Sequence, residues 1–221
     1  MSNTEDDFFT QELKAELERE RLKSFFERYG GYMVIAALAL VASVAGYQYW
    51  SYSKLSSAQE AGALYDQGLL LASKDKHDEA IEKFKAAGAV GETGYLVLSQ
   101  LQTGASLLEQ DKPDEARAAF EAAAKQKGET LFTSYAELQA AALGLETASF
   151  TESQNRLNGL ISDANPWRYS AREMLGVLQL RAGKLDDART TFEGLLGDRE
   201  TPPGMLARVQ TLLAQIIAQT A

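Results

Sequence analysis

Hydrophobic and polar residues are distributed unevenly along the chain. One uncharged run extends from residue 29 to residue 53, whereas the residues on both sides of it mix apolar and charged side chains with helical periods. Within this run, residues 32–50 carry no ionisable group except tyrosine. A helix of this length extends about 29 Å, close to the roughly 30 Å thickness of a bilayer's hydrocarbon core. The pattern predicts one membrane-spanning helix.

Aromatic residues flank the run at both ends. They are Phe25, Phe26, Tyr29 and Tyr32 before it, and Tyr47, Tyr49, Trp50 and Tyr52 after it. Amphipathic rings at both edges suit the two headgroup layers of a bilayer, whereas a helix in a soluble core has no reason to carry rings only at its ends. A cleaved signal peptide is the other alternative, because Ser43-Val44-Ala45 is a small-x-small triplet. The 28 residues before the run contain eight acidic residues and exceed a usual n-region, which favours an uncleaved anchor.

The basic residues predict the orientation of this anchor. Residues 1–28 contain five Lys and Arg residues, whereas residues 51–70 contain only Lys54. Because the basic flank of a membrane helix stays in the cytosol, we expect residues 1–28 to form a cytosolic amphipathic helical segment. Residues 29–53 are then the transmembrane anchor, and residues 54–221 lie on the far side of the membrane. The apolar stripe of the cytosolic segment consists of Phe9, Leu13, Leu17, Leu22, Phe25 and Phe26.

Four small residues share one face of the predicted span. Ala36, Ala39, Ser43 and Gly46 follow one another at intervals of three and four residues. A face of this kind allows close packing against another transmembrane helix. The other interpretation is that alanine is simply common in this chain.

The residues after the span contain an internal repeat. The segments KHDEAIEKFKAA (76–87), KPDEARAAFEAA (112–123) and KLDDARTTFEGL (184–195) each place a phenylalanine four residues after an alanine. A glycine precedes each alanine by twelve residues, and a degenerate copy has Ser153 and Leu157 at the alanine and phenylalanine positions. The period is therefore 35–37 residues. Repeats of this length are stacked helix pairs, because one pair cannot bury its apolar face alone.

The repeat predicts an all-α fold: a single N-terminal transmembrane helix followed by an α-solenoid of about four helix pairs and a C-terminal capping helix. The predicted helices are 57–73 and 77–89, 93–110 and 113–126, 130–147 and 151–162, and 168–182 and 185–196. After Thr201-Pro202-Pro203, the terminal segment carries an apolar stripe of Leu206, Val209, Leu213 and Ile216. We expect this stripe to seal the last pair.

The small, small and aromatic positions of each pair resemble those of the tetratricopeptide repeat. In such repeats, certain first-helix positions face a concave groove, and this resemblance implies a groove lined by Tyr65, Leu69, Leu101, Leu108, Tyr135, Leu138 and Leu145. An exposed apolar surface of this kind normally marks a binding site for protein. The alternative is that these residues are ordinary core between helices, or that the C-terminal helix covers them.

Charge and composition exclude several classes of function. The formal net charge of −9 disfavours nucleic acid as a partner, because affinity for nucleic acid depends on Lys and Arg. The chain has no cysteine and one histidine, His77, so the sequence predicts no metal site and no thiol chemistry. It also lacks the GxxxxGK[ST], GxSxG and HExxH motifs. We expect no enzyme activity and no cofactor.

Three stretches extend the resemblance to a particular family. FFERYGGYM…GYQYW (25–50), PWRYSAREMLGVLQLRAGKLDDARTTFEGLL (166–196) and TPPGMLARVQTLL (201–213) are similar to YfgM-like ancillary subunits of the SecYEG translocon. The resemblance implies a Gram-negative inner-membrane protein with a periplasmic repeat domain. It further implies association with SecYEG and with a PpiD-like, membrane-anchored periplasmic chaperone, through which exported chains reach periplasmic chaperones. An accessory or assembly subunit of another inner-membrane complex, respiratory or cell-division, is the alternative.

Overall fold

A computed structural model describes the backbone of residues 3–145 and 148–220, with the side chains of 3–15, 18, 25, 26 and 220 outside the described set. Every regular element in these ranges is an α-helix, which confirms the predicted all-α class. The helices are α1 (Asn3–Ala72), α2 (His77–Val90), α3 (Thr93–Glu109), α4 (Pro113–Ala124), α5 (Thr130–Gly144), α6 (Phe150–Asn158), α7 (Arg168–Arg181), α8 (Leu185–Gly197) and α9 (Pro203–Thr220). The chain forms two compact units, Met1–Leu55 and Ser56–Ala221.

Helix α1 contains the apolar run. Among the described residues it is the one helix long and apolar enough to cross a bilayer, with a mean hydropathy of 1.7 over its most apolar window and none of that window buried. Tyr32, Leu38 and Val41 are 73%, 65% and 63% exposed. Of the predicted cytosolic stripe, Leu17 and Leu22 are exposed, whereas the side chains of Phe9, Leu13, Phe25 and Phe26 lie outside the described residues.

The predicted helix 57–73 is not a separate element. It is the last part of α1, because the chain from residue 29 to residue 72 contains no proline that would end a helix. Residues 56–72 belong to the second unit, where they pair with α2. The predicted end of α5 at residue 147 lies outside the described residues, and the structure ends α5 at Gly144.

Each helix pair of the second unit is joined by a close contact between a small residue and a large one. A β-carbon added to Gly68, Gly104 or Gly176 would lie 2.5, 2.7 or 2.4 Å from a ring carbon of Phe84, Phe120 or Phe192. In the third pair, Ala141 replaces the glycine and Leu157 replaces the phenylalanine, and both are buried. The third pair thus combines a larger first-helix residue, alanine instead of glycine, with a smaller second-helix residue, leucine instead of phenylalanine. A fixed distance between the two helices requires this compensation.

The turns within three of the pairs have a common backbone geometry. Asp75, Asp111 and Gly183 have positive φ values of 59°, 57° and 73°. In each turn the following lysine N–H donates to a carbonyl five residues earlier, at Leu71, Leu107 or Gln179. This is the Schellman ending of a helix, which satisfies carbonyls left without a partner in its last turn.

The third pair ends differently. Its second helix, α6, ends at Asn158 rather than at the predicted residue 162. Leu160 is nevertheless buried in the core of α5, α6 and α7, and the chain then reaches α7 through the loop containing Asn165 and Trp167. The longer loop replaces the last turn of α6 and brings the Trp167 side chain beside α5.

Helix α9 covers the last pair, as the sequence predicts, but only part of the predicted stripe makes the contact. The buried residues on α9 are Met205, Val209 and Ile216, which pack with Phe192 and Leu195 of α8. Leu206 and Leu213, two members of the predicted stripe, are only partly buried. The contact therefore confirms Val209 and Ile216 of the predicted stripe, whereas Met205 and Leu212 pack against the cluster in place of Leu206 and Leu213.

Charged side chains join α4, α5 and α6. Arg156 of α6 donates to Glu121 of α4 at 2.9 Å and to Glu137 of α5 at 3.2 Å. Arg117 of α4 donates to Glu121 at 3.1 Å and to Glu152 of α6 at 3.3 Å. The two arginines are about a quarter exposed or less, so this Arg117–Arg156 network is shielded more than a surface ion pair.

Candidate protein-binding groove

A concave apolar groove of about 760 Å³ lies in the second unit. It is lined by Tyr65 of α1, by Leu98, Leu101, Gln102, Ala105 and Leu108 of α3, by Phe120 of α4, by Leu131, Phe132, Tyr135 and Gln139 of α5, and by Trp167. None of these described residues is charged. Leu101 and Phe120, 8% and 3% exposed, form the floor, whereas Leu108 and Leu131, 38% and 44% exposed, lie at the rim.

The structure brings four of the seven predicted groove residues together: Tyr65, Leu101, Leu108 and Tyr135. Leu138 instead lies in the core with Leu157 and Leu175, 6% exposed. The reason is its position around α5: Leu138 is turned by about 60° from Tyr135 in the direction away from Gln139, toward α6 and α7. Leu69 is 38% exposed and lies outside the groove lining.

Leu145 lies in a second, smaller depression. This depression has a volume of about 260 Å³ and is bounded by Leu145 together with Met174, Val177, Ser170 and Glu173 of α7. Its one charged member, Glu173, accepts two hydrogen bonds of 2.9 Å from Arg208 of α9. The predicted set therefore divides between two concave sites and the core, with Leu69 exposed outside all three.

The sequence prediction missed several groove residues. On α3 they are Leu98, Gln102 and Ala105, and on α5 they are Leu131, Phe132 and Gln139. Together with Leu101, Leu108 and Tyr135, these positions recur at three- and four-residue intervals, which is the spacing of one helix face. The sequence alone could therefore have indicated that these residues share a helix face with the predicted ones. Trp167 carried no such signal, because it belongs to a loop.

Trp167 forms part of the groove wall. Its ring lies 4.9 Å from the Tyr135 ring, centroid to centroid, and its Nε1–H donates to the Leu131 carbonyl at 2.7 Å. Asn165 holds this loop: its Nδ2 donates to Ser134 Oγ at 3.1 Å, and its Oδ1 accepts from the Trp167 N–H at 2.9 Å. Asn165 is 7% exposed, so it fixes the indole through buried polar contacts.

Tyr65 lies on the opposite side of the groove. Its ring contacts Phe84 and Tyr95, with centroid distances of 5.5 and 6.2 Å. Burial raises the pKa of the Tyr65 hydroxyl above its usual value, more than its hydrogen bond with Gln102 lowers it. The phenol is therefore neutral at physiological pH, and the groove presents no charge there.

The C-terminal helix does not fill the groove. Helix α9 packs on α8 and α7, and the groove lining draws on α1, α3, α4, α5 and Trp167. The groove is open in the described part of the chain. Its chemistry is that of an apolar, aromatic binding surface with two primary amides, Gln102 and Gln139.

Comparison with known proteins places this geometry in a family. The profile of the family described as a tetratricopeptide repeat-like domain matches residues 23–209. The chain belongs to this family. It is also 23% identical over 185 residues to an ancillary SecYEG translocon subunit of Haemophilus influenzae, a match that covers 82% of this chain and 88% of the relative. The resemblance expected from the sequence is confirmed.

This tetratricopeptide repeat-like chain also carries the predicted small-residue face on α1. Ala36, Ala39, Ser43 and Gly46 are all exposed, and a β-carbon on Gly46 would meet no atom within 4 Å. The Ser43 hydroxyl donates to the Ala39 carbonyl at 2.7 Å, so its polar group is satisfied within the helix. The face is sterically open to a close neighbour.

The described residues contain no group of three or more His, Cys, Asp or Glu side chains placed to hold a metal ion. His77 begins α2, and its Nε2 lies 4.0 Å from Asp75 Oδ1.

Proposed function

We propose that the protein is a single-pass inner-membrane adaptor and an ancillary subunit of the SecYEG translocon. In this proposal the repeat domain links exported chains to periplasmic chaperones, including a PpiD-like chaperone. The observation that carries it is the similarity to an ancillary SecYEG translocon subunit along 82% of the chain. The match extends over 185 residues, several times the length of a single repeat.

The arrangement of parts supports an adaptor. The first unit contains a helix that meets the length and apolarity of a span, and the second contains an open groove without charged lining residues. A groove tethered to the membrane meets chains emerging there at a high effective concentration, so modest affinity is sufficient. The basic residues of 1–28 support a cytoplasmic N-terminus and a periplasmic repeat domain at 54–221.

In the same proposal, the small-residue face of α1 contacts a transmembrane partner. Ala36, Ala39, Ser43 and Gly46 would let the two helix backbones approach closely, and the loss of such packing is costly because lipid supplies no hydrophobic drive for helix association. A bulky residue on this face should therefore weaken the complex more than the same residue on the opposite face.

The test is purification of the full chain from membranes in mild detergent, followed by quantitative mass spectrometry. We expect SecY, SecE, SecG and a PpiD-like chaperone in fixed ratio to the wild-type chain. The double variant Ala39→Leu, Gly46→Leu should lose the Sec subunits. The matched control Ala37→Leu, Ala45→Leu, on the opposite face, should retain them.

Recovery of a different complex in fixed ratio, with the Sec subunits absent, would contradict the translocon assignment. It would instead indicate an accessory or assembly subunit of a respiratory or cell-division complex. Digestion of spheroplasts with external protease tests the orientation separately. The repeat domain should be degraded, and its survival in intact spheroplasts would place it in the cytosol.

A further inference from the structure

The two glutamines of the groove occupy the same position in successive repeats. Gln102 lies two residues before Gly104, and Gln139 lies two residues before Ala141, the residue that replaces glycine in the third pair. Both side chains line the groove and both are partly buried. The equivalent residues of the first and fourth repeats are Asp66 and Met174. The amide pair is therefore restricted to the two central repeats, which form the groove.

The spacing of this pair matches an extended polypeptide. Helices α3 and α5 are in direct contact, and axes of packed helices lie about 8–10 Å apart. We therefore expect equivalent backbone positions on the two helices to lie about 8–10 Å apart. In an extended chain, the peptide groups that face one side recur at every second residue, about 7 Å apart, and the flexible Gln side chains can adjust to this spacing.

A primary amide is the side chain that pairs best with a peptide group. The Gln side chain offers two N–H donors and a carbonyl acceptor with two lone pairs. Gln102 can therefore retain its hydrogen bond with Tyr65 and still bind a second group. A peptide backbone presents one donor and one acceptor per residue when it is extended, whereas these groups are already paired in a helix.

The other lining residues determine the side chains that fit. They are aliphatic or aromatic, and none of the described lining residues is charged. Placing a charged side chain in such a site without a partner carries a large desolvation cost. Apolar and aromatic side chains of the bound segment would instead contact the apolar walls, including Tyr135, Trp167 and the rim residue Leu108.

We propose that the groove binds an extended, uncharged segment of unfolded polypeptide and that Gln102 and Gln139 hydrogen-bond to its backbone. The amides bind peptide groups regardless of sequence, and the apolar walls select against charge. This inference rests on the proposed function, because it names the form in which an exported chain is held. It also separates this groove from one that recognises a folded helix or an acidic peptide tail.

The test uses the full chain in nanodiscs and a short fluorescent peptide of Thr, Val and Tyr residues. Fluorescence anisotropy measures the dissociation constant of this peptide for three proteins. They are the wild type, the double variant Gln102→Leu, Gln139→Leu, and the control Gln210→Leu on the exposed surface of α9. Leucine has nearly the shape of glutamine without its amide. Two hydrogen bonds of about 1 kcal/mol each correspond to a loss of about thirtyfold in affinity.

Two altered peptides make the test specific. N-methylation of alternate peptide groups should weaken binding to the wild type by about tenfold, but should weaken binding to the double leucine variant much less, since its amides are already absent. A peptide of the same length with two glutamates replacing valines should not bind either protein. The Gln210→Leu control should bind like the wild type.

Unchanged or tighter peptide binding by the double leucine variant would overturn the role of the amides. So would equal binding of a helix-stapled peptide, because its backbone cannot reach them. Failure of the wild type to bind any peptide, while SecYEG still co-purifies with the full chain, would overturn this inference alone. Loss of SecYEG from the purified complex would instead contradict the proposed function.

Discussion

Gly104 of α3 and Phe120 of α4 pack so closely that a β-carbon on Gly104 would lie 2.7 Å from the Phe120 ring. The same relationship holds between Gly68 and Phe84. This contact sets the distance between the two helices of a pair, and with it the position of α3 in the groove.

The first prediction concerns this contact. Gly104→Ala should destabilise the second unit by about 1–3 kcal/mol, because the added methyl group must displace a ring in a close-packed interior. Thermal unfolding of the full chain in detergent, followed by circular dichroism, measures the change. The control Gly194→Ala, where no atom lies within 4 Å of the new β-carbon, should be neutral or slightly stabilising.

The third helix pair suggests the rescue. Because Ala141 faces Leu157 there, Phe120→Leu should relieve the strain of Gly104→Ala. The double variant should then be more stable than the sum of the two single changes predicts, by about 0.5–3 kcal/mol. Strict additivity would show that the ring and the glycine do not interact as described.

The second prediction concerns the left-handed turn residues. Asp111 has a φ of 57°, a conformation that costs a non-glycine residue about 1–2 kcal/mol. Asp111→Gly should therefore raise the free energy of unfolding by about 0.5–1 kcal/mol, and Gly183→Ala should lower it by about 1 kcal/mol. Urea titration measures both. Equal effects from Gly183→Ala and the negative-φ control Gly197→Ala would contradict the turn assignment.

The helix pairs could be predicted because the sequence repeats the residues that set their spacing. Glycine, alanine and phenylalanine recur at fixed offsets, and Gly68, Gly104 and Gly176 all contact the predicted phenylalanines. The orientation of each helix about its own axis was harder to predict. A repeat offset gives the position of Leu138 along α5, but neighbouring helices decide whether Leu138 or Gln139 faces the groove.

Two further features had no local signal in the sequence. The groove residue Trp167 comes from a loop held by Asn165 across 31 residues of chain, to Ser134. On α9, Met205 rather than the predicted Leu206 packs with Phe192 and Leu195 of α8. Both depend on contacts between distant residues, which a periodic pattern does not encode.

The third prediction concerns the Arg117–Arg156 network. Arg156→Met should destabilise the repeat domain by about 1–2 kcal/mol, because Glu121 and Glu137 would lose a partly shielded cation. The loss should shrink in high salt, which screens the remaining repulsion. The control Lys85→Met removes an exposed ion pair, in which Lys85 Nζ lies 3.1 Å from Glu82 Oε1. Its free energy of unfolding should fall by less than about 0.5 kcal/mol. Equal losses in the two variants would contradict a shared network.

The fourth prediction concerns the groove wall. Asn165→Ala removes the acceptor of the Trp167 N–H and the donor to Ser134 Oγ. It should cost about 1–3 kcal/mol, since buried polar groups lose their partners. In a Trp50→Phe background, the Trp167 emission should move to longer wavelength as the indole leaves Tyr135. An exposed-site control, Asn158→Ala, should leave both stability and emission unchanged.

The central claim is that a membrane-tethered groove receives chains leaving the translocon. In cells holding a secretory precursor partway through export, a photoreactive amino acid at Leu108, 38% exposed at the groove rim, tests it directly. Irradiation should cross-link Leu108 to the precursor and to periplasmic chaperones, whereas the same group at Ile217 of α9, 53% exposed, should yield little of either. Cross-links from Leu108 to cytosolic proteins, or equal precursor yields from both positions, would contradict the claim.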